Sequence, residues 1–119
     1  MKKQIIWRGE IYYADLRNMV GSEQGGKRPV VVIQNDVGNL NSHTTIVIPT
    51  TSRIQKNLMP THVKIESEIF IKESIALAEQ IRVVDKSRLL EYIGKLSQTD
   101  MVKIEKAVAV SLGMENCVN

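Results

Sequence analysis

One arginine, Arg28, stands between a glycine-rich loop and a wholly apolar run, in the stretch Gly21-Ser22-Glu23-Gln24-Gly25-Gly26-Lys27-Arg28-Pro29-Val30-Val31-Val32-Ile33. Gly25 and Gly26 can take backbone angles that other residues avoid, so the loop can bend tightly and bring its N–H groups close to an anion. Lys27 and Arg28 add positive charge at that mouth. Pro29 fixes φ and lacks an N–H, which suits the first residue of a strand, and the four β-branched residues after it read as a strand buried on both faces. A guanidinium held at the rim of a buried sheet, beside a polar loop, is suited to phosphate. The competing reading is an ion pair at the strand edge with Glu10 or Asp15.

Two neighbouring threonines end a second apolar run, Ile46-Val47-Ile48-Pro49-Thr50-Thr51-Ser52-Arg53. Threonine at a strand end is ordinarily a propensity choice, yet its hydroxyl can both donate and accept. Strand alternation points Thr50 and Thr51 to opposite faces, so only one of them can share a face with Arg28. The two histidines, His43 and His62, lie in separate segments with no cysteine or acidic partner at ligand spacing, which argues against a metal site; no cofactor motif is present. Nor do two separated histidines make the acid–base pair of a pancreatic-type ribonuclease. With five aromatic residues in all, the chain has too few for a broad base-stacking platform. Trp7 is expected to pack against the sheet.

The elements that must position these residues are mostly strands. Gly9–Leu16, Pro29–Gln34, Thr45–Thr51 and His62–Ile65 carry β-branched, aromatic or alternating patterns. Residues 35–43 are rich in Asn, Asp, Gly and Ser and read as a loop. Ser74–Val84 reads as one further strand, Asp85 as the cap of a short turn, and Glu91–Leu96 as a strand that closes the sheet. Ser97-Gln98-Thr99-Asp100 matches a capping box, with Asp in the position usually held by Glu or Gln, and opens a helix. Met101, Ile104, Val108 and Leu112 fall roughly along one face of it, and Gly113 is a good stop. Short strands followed by one amphipathic helix predict a mainly β protein with α, a small β-barrel with the helix packed on it.

At 119 residues the chain, 1–119, is expected to form a single domain. Its formal charge of +3 favours an anionic partner but is far below that of a polybasic tail. Cys117, the one cysteine, has no intrachain partner, so disulfides do not shape the fold and the cytoplasm is the natural compartment. No apolar stretch is long enough for a signal peptide or a membrane span, so no membrane partner is expected.

Taken in order, Arg8–Leu16, the glycine loop with its strand, Ile46–Ser52, Pro60-Thr61-His62-Val63 and Ala78-Glu79-Gln80-Ile81-Arg82 make the chain similar to the MazF/PemK family of toxin endoribonucleases, over most of its length. That resemblance implies an SH3-like barrel with a C-terminal helix, and cleavage of single-stranded RNA. It implies that Arg28 and Thr51 are catalytic, Thr51 aligning with the family's threonine. It also places Glu23, Gln24 and Lys27 beside an RNA groove, where Gln24 would bond an unstacked base and Glu23 would accept from base amino groups or orient Arg28. Arg53 and Gln80 are candidates for backbone and base contacts. Implied partners are a second copy, in a homodimer, and a MazE-like acidic antitoxin that occupies the groove.

RNA carries its own nucleophile, so a phosphate held by Arg28 and Thr51 could be attacked by the adjacent 2′-hydroxyl without a metal-bound water. Two other readings remain at this level. A gyrase poison of the CcdB type would share the fold, but its Trp-Gly-Ile ending is not matched by Gly113-Met114-Glu115-Asn116-Cys117-Val118-Asn119. A noncatalytic SH3-like RNA-binding module would bind RNA without cutting it.

Overall fold

The computed structural model describes residues 5–17, 25–53, 58–66, 69–70 and 73–114. Seven strands are followed by one long helix: β1 (Glu10–Leu16), β2 (Gly26–Val32), a short helix α1 (Asp36–Asn41), β3 (Thr44–Thr51), β4 (His62–Ile65), β5 (Ser74–Leu77), β6 (Arg82–Asp85), β7 (Leu89–Lys95) and α2 (Gln98–Ser111). All pairings are antiparallel, in the order β4-β5-β3-β2-β1-β7 with β6 also on β3. This is the expected mainly β class with a C-terminal helix, barrel-like in outline. The sheet is open, because β7 pairs with β1 and β4 pairs with β5 but the two ends do not meet.

Both faces of the central strands are buried, which explains the unbroken apolar runs. On one face Ile11, Val31 and Ile48 pack with Met101, Ile104 and Ala107 of α2; on the other Tyr12, Ala14, Val30, Val32 and Val47 form a second cluster with Ile6 and Leu89. Helix α2 starts where the capping box puts it, with the Ser97 hydroxyl accepting from the Asp100 N–H at 3.1 Å, and ends before Gly113 at φ +71°. Its inner face differs from the expected one: Ala107 is buried, whereas Leu112, past the last helical turn, is 54% exposed. Trp7 is likewise only partly packed, at 41% exposure.

Three element boundaries depart from the sequence reading. Strand β2 begins at Gly26, so Pro29 lies inside it, opposite Tyr13, and does not open it. The presumed loop at 35–43 holds α1, capped by Asn35, whose side chain accepts from the Gly38 N–H. Six residues are too few for a helix to persist alone. Asn39 anchors it: fully buried, its amide donates to the Gln34 carbonyl at 2.9 Å and accepts from the Thr45 hydroxyl at 2.7 Å and from Gln34 Nε2 at 3.1 Å. The third departure is the Ser74–Val84 run, which breaks at a 3-10 turn over Ala78–Gln80. Across that break the pairing with β3 slips by three residues, from Thr50↔Ala76 to Val47↔Arg82, so one edge of β3 serves both β5 and β6. Asp85 does cap the following turn, accepting from the Ser87 N–H at 2.9 Å.

Candidate active site

A cavity of about 990 Å³ opens where β2 begins and β3 ends. Lys27, Arg28, Thr51 and Arg53 all line it, joined by Thr50, Ser52 and Ser74 and by an apolar side made of Tyr13, Pro29, Ile69, Phe70 and Ile93. None of these lining residues is acidic. The cavity therefore presents three cations to any ligand with no carboxylate among the described residues of its wall.

The pairing of β2 with β3 runs Val32↔Val47, Val31↔Ile48, Val30↔Pro49. Continued two residues further, it sets Arg28 opposite Thr51, and directly opposed residues of an antiparallel pair share a face. Thr50 falls on the other face. It is buried, and its hydroxyl donates to the Pro29 carbonyl at 2.8 Å, which commits it to holding β3 against β2. Thr51 is half-buried, and its oxygen accepts from the Arg53 N–H at 3.1 Å, a local turn that fixes its orientation and leaves its O–H able to donate. The two threonines thus differ in what each hydroxyl touches: that of Thr50 is spent on the Pro29 carbonyl, and that of Thr51 keeps its donor.

Arg28 is held by backbone oxygens. Its Nε donates to the Gly25 carbonyl at 2.9 Å and a terminal nitrogen to the Thr50 carbonyl at 3.2 Å. The ion pair with Glu10 or Asp15 is not formed: Glu10 accepts from Trp7 N and from the Tyr12 hydroxyl, and Asp15 pairs with Arg17 at 2.6 Å. Among the described residues Arg28 has no carboxylate partner, and three of its five N–H groups are left for a ligand. Partial burial lowers its pKa from the usual arginine value, the direction expected of a cation removed from water without a counter-charge, yet it stays protonated at any working pH. Gly26 makes the approach possible. It sits at φ +70°, and a Cβ there would meet nothing within 4 Å, so the need for glycine is one of backbone angle and not of crowding.

The remaining candidates are dispersed. Gln80 ends the 3-10 turn and does not line the cavity. Glu23 and Gln24 lie outside the described residues. His62 has a nearly buried ring that takes the Met59 N–H at Nδ1 and faces Glu79 from Nε2 at 3.2 Å, an arrangement that fixes the turn before β4. Among the described residues no group of three or more His, Cys, Asp or Glu side chains is placed to hold a metal, and no helix is long and apolar enough to cross a membrane.

What the sequence reading missed is the apolar side. Ile69 and Phe70 belong to a connection with no strand pattern, and Tyr13 and Ile93 look like ordinary strand residues; only the spatial order β3-β2-β1-β7 brings them beside Arg28.

Residues 7–112 match the family model described as PemK-like, MazF-like toxin of type II toxin–antitoxin system. The chain is 49% identical over 112 residues to endoribonuclease EndoA of Bacillus subtilis (strain 168), covering 92% of this chain and 97% of that protein. Its fold resembles that of MazF from Deinococcus radiodurans, with a TM-score of 0.82 at 23% identity over 94% of this chain and 100% of that one. It also resembles a mycobacterial endoribonuclease solved in complex with its cognate antitoxin, with a TM-score of 0.77 at 24% identity, over 92% and 96% of the two chains. With the family model spanning most of its length and nearly half its residues shared with EndoA, the chain belongs to the PemK-like, MazF-like toxins of type II toxin–antitoxin systems.

Proposed function

We propose that this protein is an endoribonuclease toxin that cuts single-stranded RNA, and that Arg28 and Thr51 hold the scissile phosphate. The observation that carries the reading is the pairing of an anchored guanidinium, with no carboxylate partner among the described residues, with a hydroxyl able to donate on one face of the sheet, at the mouth of a cationic cavity. EndoA, the relative sharing 49% identity, is itself an endoribonuclease, which supports the same activity here.

In this mechanism the 2′-oxygen of the nucleotide on the 5′ side of the cut attacks phosphorus in line with the leaving 5′-oxygen. The P–O5′ bond breaks as the P–O2′ bond forms. The 2′ proton passes to solvent and the 5′ oxygen takes one up, giving a 2′,3′-cyclic phosphate and a 5′-hydroxyl. Arg28 stabilises the charge that grows on the non-bridging oxygens, and the Thr51 hydroxyl donates to one of them, so positioning and electrostatics supply the acceleration. No bound metal is required by this route. Single-stranded substrate follows from the need to splay the chain across the cavity, and sequence preference from bases read on their edges. Glu23, Gln24 and Lys27 in and beside the glycine loop, with Arg53 and Gln80, are the proposed contacts for flanking nucleotides.

The proposed partners are a second copy of the chain, in a homodimer, and an acidic antitoxin whose carboxylates compete with phosphate for Lys27, Arg28 and Arg53. The mycobacterial endoribonuclease with its cognate antitoxin supports the second partner. The test is incubation with a long RNA, mapping of the cut sites and identification of the ends, followed by a short RNA with one deoxyribose on the 5′ side of the favoured cut. Loss of cleavage with retained binding is expected. Cleavage at the modified linkage would rule out 2′-hydroxyl attack, and an intact long RNA would rule out the nuclease.

A further inference from the structure

We propose that the apolar side of the cavity is a nucleobase subsite, in which the ring of Tyr13 stacks against the base of a nucleotide that flanks the scissile phosphate. The proposal rests on the nuclease reading above and assigns that site a second half.

A phosphate alone does not need a cavity of about 990 Å³, which lies at the upper end of what encloses a ligand of several ring systems. The cations and most of the hydroxyls come from the ends of β2 and β3, with Ser74 from β5, and the apolar residues from β1, β7, the connection at Ile69 and Phe70, and Pro29 of β2. Polar and apolar ends thus lie side by side, as the sugar–phosphate and base of one nucleotide do.

Tyr13 is the residue free to contact a ligand. It is 42% exposed, belongs to neither core cluster, and its hydroxyl makes no hydrogen bond among the described residues. Tyr13 is opposite Pro29, the residue after Arg28, so alternation sends the Tyr13 and Arg28 side chains to opposite faces of the sheet, and they meet only because both line the cavity at the ends of β2 and β3. With their backbones roughly 6 Å apart from strand spacing and rise, the aromatic ring lies within one nucleotide of the guanidinium. Ile69, Phe70 and Ile93 complete the wall and are themselves packed on the α2-side core, which makes it rigid.

The wall depends on a missing side chain. At Gly94, in β7, a Cβ would come within 3.1 Å of both Cδ1 and Cγ2 of Ile69. Gly94 does not need an unusual backbone angle, for its φ is not positive. Its use is to let Ile69 lie directly on the strand, closing the apolar end of the cavity. A base–aromatic contact tolerates any base, because every base has a π-face. The subsite would therefore contribute affinity and placement, and leave sequence choice to the loops.

The test uses short RNAs centred on the mapped cut site, with the single deoxyribose that blocks cleavage and 2-aminopurine at either flanking position. Stacking on Tyr13 should quench one of the two probes in the wild-type complex, and Y13L should restore its fluorescence while Y13F keeps it quenched. On the cleavable RNA, Y13L should lower kcat/KM by roughly five- to a hundredfold, the range for loss of one stacked base, with Y13F near wild type. Because Tyr13 lies outside both cores, thermal unfolding of both variants should match the wild type. G94A gives a second readout: by displacing Ile69 from the wall it should weaken binding and cleavage while leaving Tyr13 itself unchanged. Normal cleavage and unchanged quenching in folded Y13L would overturn the subsite while leaving the nuclease reading intact, and would leave the wall to apolar side chains of a protein partner. If the wild-type protein neither binds nor cuts RNA, both proposals fall.

Discussion

Arg28 and Thr51 do different jobs in the proposed reaction, and their substitutions should differ accordingly. R28A removes the group that meets charge developing in the transition state, so kcat should fall by at least about a hundredfold, as for loss of one preorganised donor. Substrate binding should weaken much less. R28K keeps the charge but not the fork that reaches the Gly25 and Thr50 carbonyls together, and should recover little of the lost rate. T51A should lose most activity with an unchanged melting temperature, because among the described residues its hydroxyl serves only the Arg53 N–H. T50V should show the opposite split. It removes the buried hydroxyl's hydrogen bond to the Pro29 carbonyl, costing about 0.5–1.5 kcal/mol of stability, while the residual rate of the folded fraction stays closer to wild type. Steady-state kinetics paired with thermal unfolding of the four variants checks this, and a reversed ranking of T50V and T51A would reassign the hydroxyl.

Elements built by local chemistry were legible in the sequence, and those built by distant contacts were not. Ser97 caps α2 because its side chain needs only the N–H three residues on, and Asp85 caps its turn in the same way. S97A should therefore cost about 1 kcal/mol, the usual loss for an N-cap hydroxyl, read as a shift of the denaturation midpoint. Asp85 adds a pH signature. Hydrogen bonding from Ser87 holds its carboxyl below the ordinary value, so the stability it lends is present above the carboxylate range and is lost as the pH falls through the lowered pKa. D85N should flatten that part of the acid-stability profile. Helix α1 was misread as a loop because nothing within its own six residues sustains a helix; Asn39 does so through Gln34 and Thr45 from outside it. N39A, which leaves the buried Thr45 hydroxyl without its acceptor, should destabilise by about 1–3 kcal/mol. The break in the Ser74–Val84 run was hidden for the same reason. Its apolar residues Ile75, Leu77, Ile81 and Val83 stay broadly in one phase across the break, and only β3, shared between two partners, requires the three-residue slip. The site divides along the same line: Arg28 announces itself through its loop, whereas Tyr13, Ile69 and Phe70 acquire a role only when the sheet order sets them beside it.

Across the molecule, the charge available to attract RNA is concentrated more than the formal +3 suggests. Lys27, Arg28 and Arg53 line one cavity, while Lys64, Lys103 and Lys106 border a separate groove between β4 and α2. If only the first set meets phosphates, the affinity for single-stranded RNA should fall with a log–log salt slope of about −2, at roughly −0.7 for each neutralised phosphate. Between 50 and 200 mM salt that amounts to about a twentyfold loss. Lys27 is exposed and, among the described residues, makes no ion pair, so K27A can remove one charge without disturbing the fold. It should reduce the slope by about 0.7 and weaken all RNA sequences alike. K106A removes the same charge from the other groove and should leave the slope unchanged. Binding isotherms of the single-deoxy RNA over a salt series measure both variants without interference from cleavage. Equal reductions for the two lysines would mean that RNA runs along β4 and α2 as well, and that the cavity at Arg28 is one stop on a longer track; a flat response in the wild type would remove the electrostatic contribution altogether.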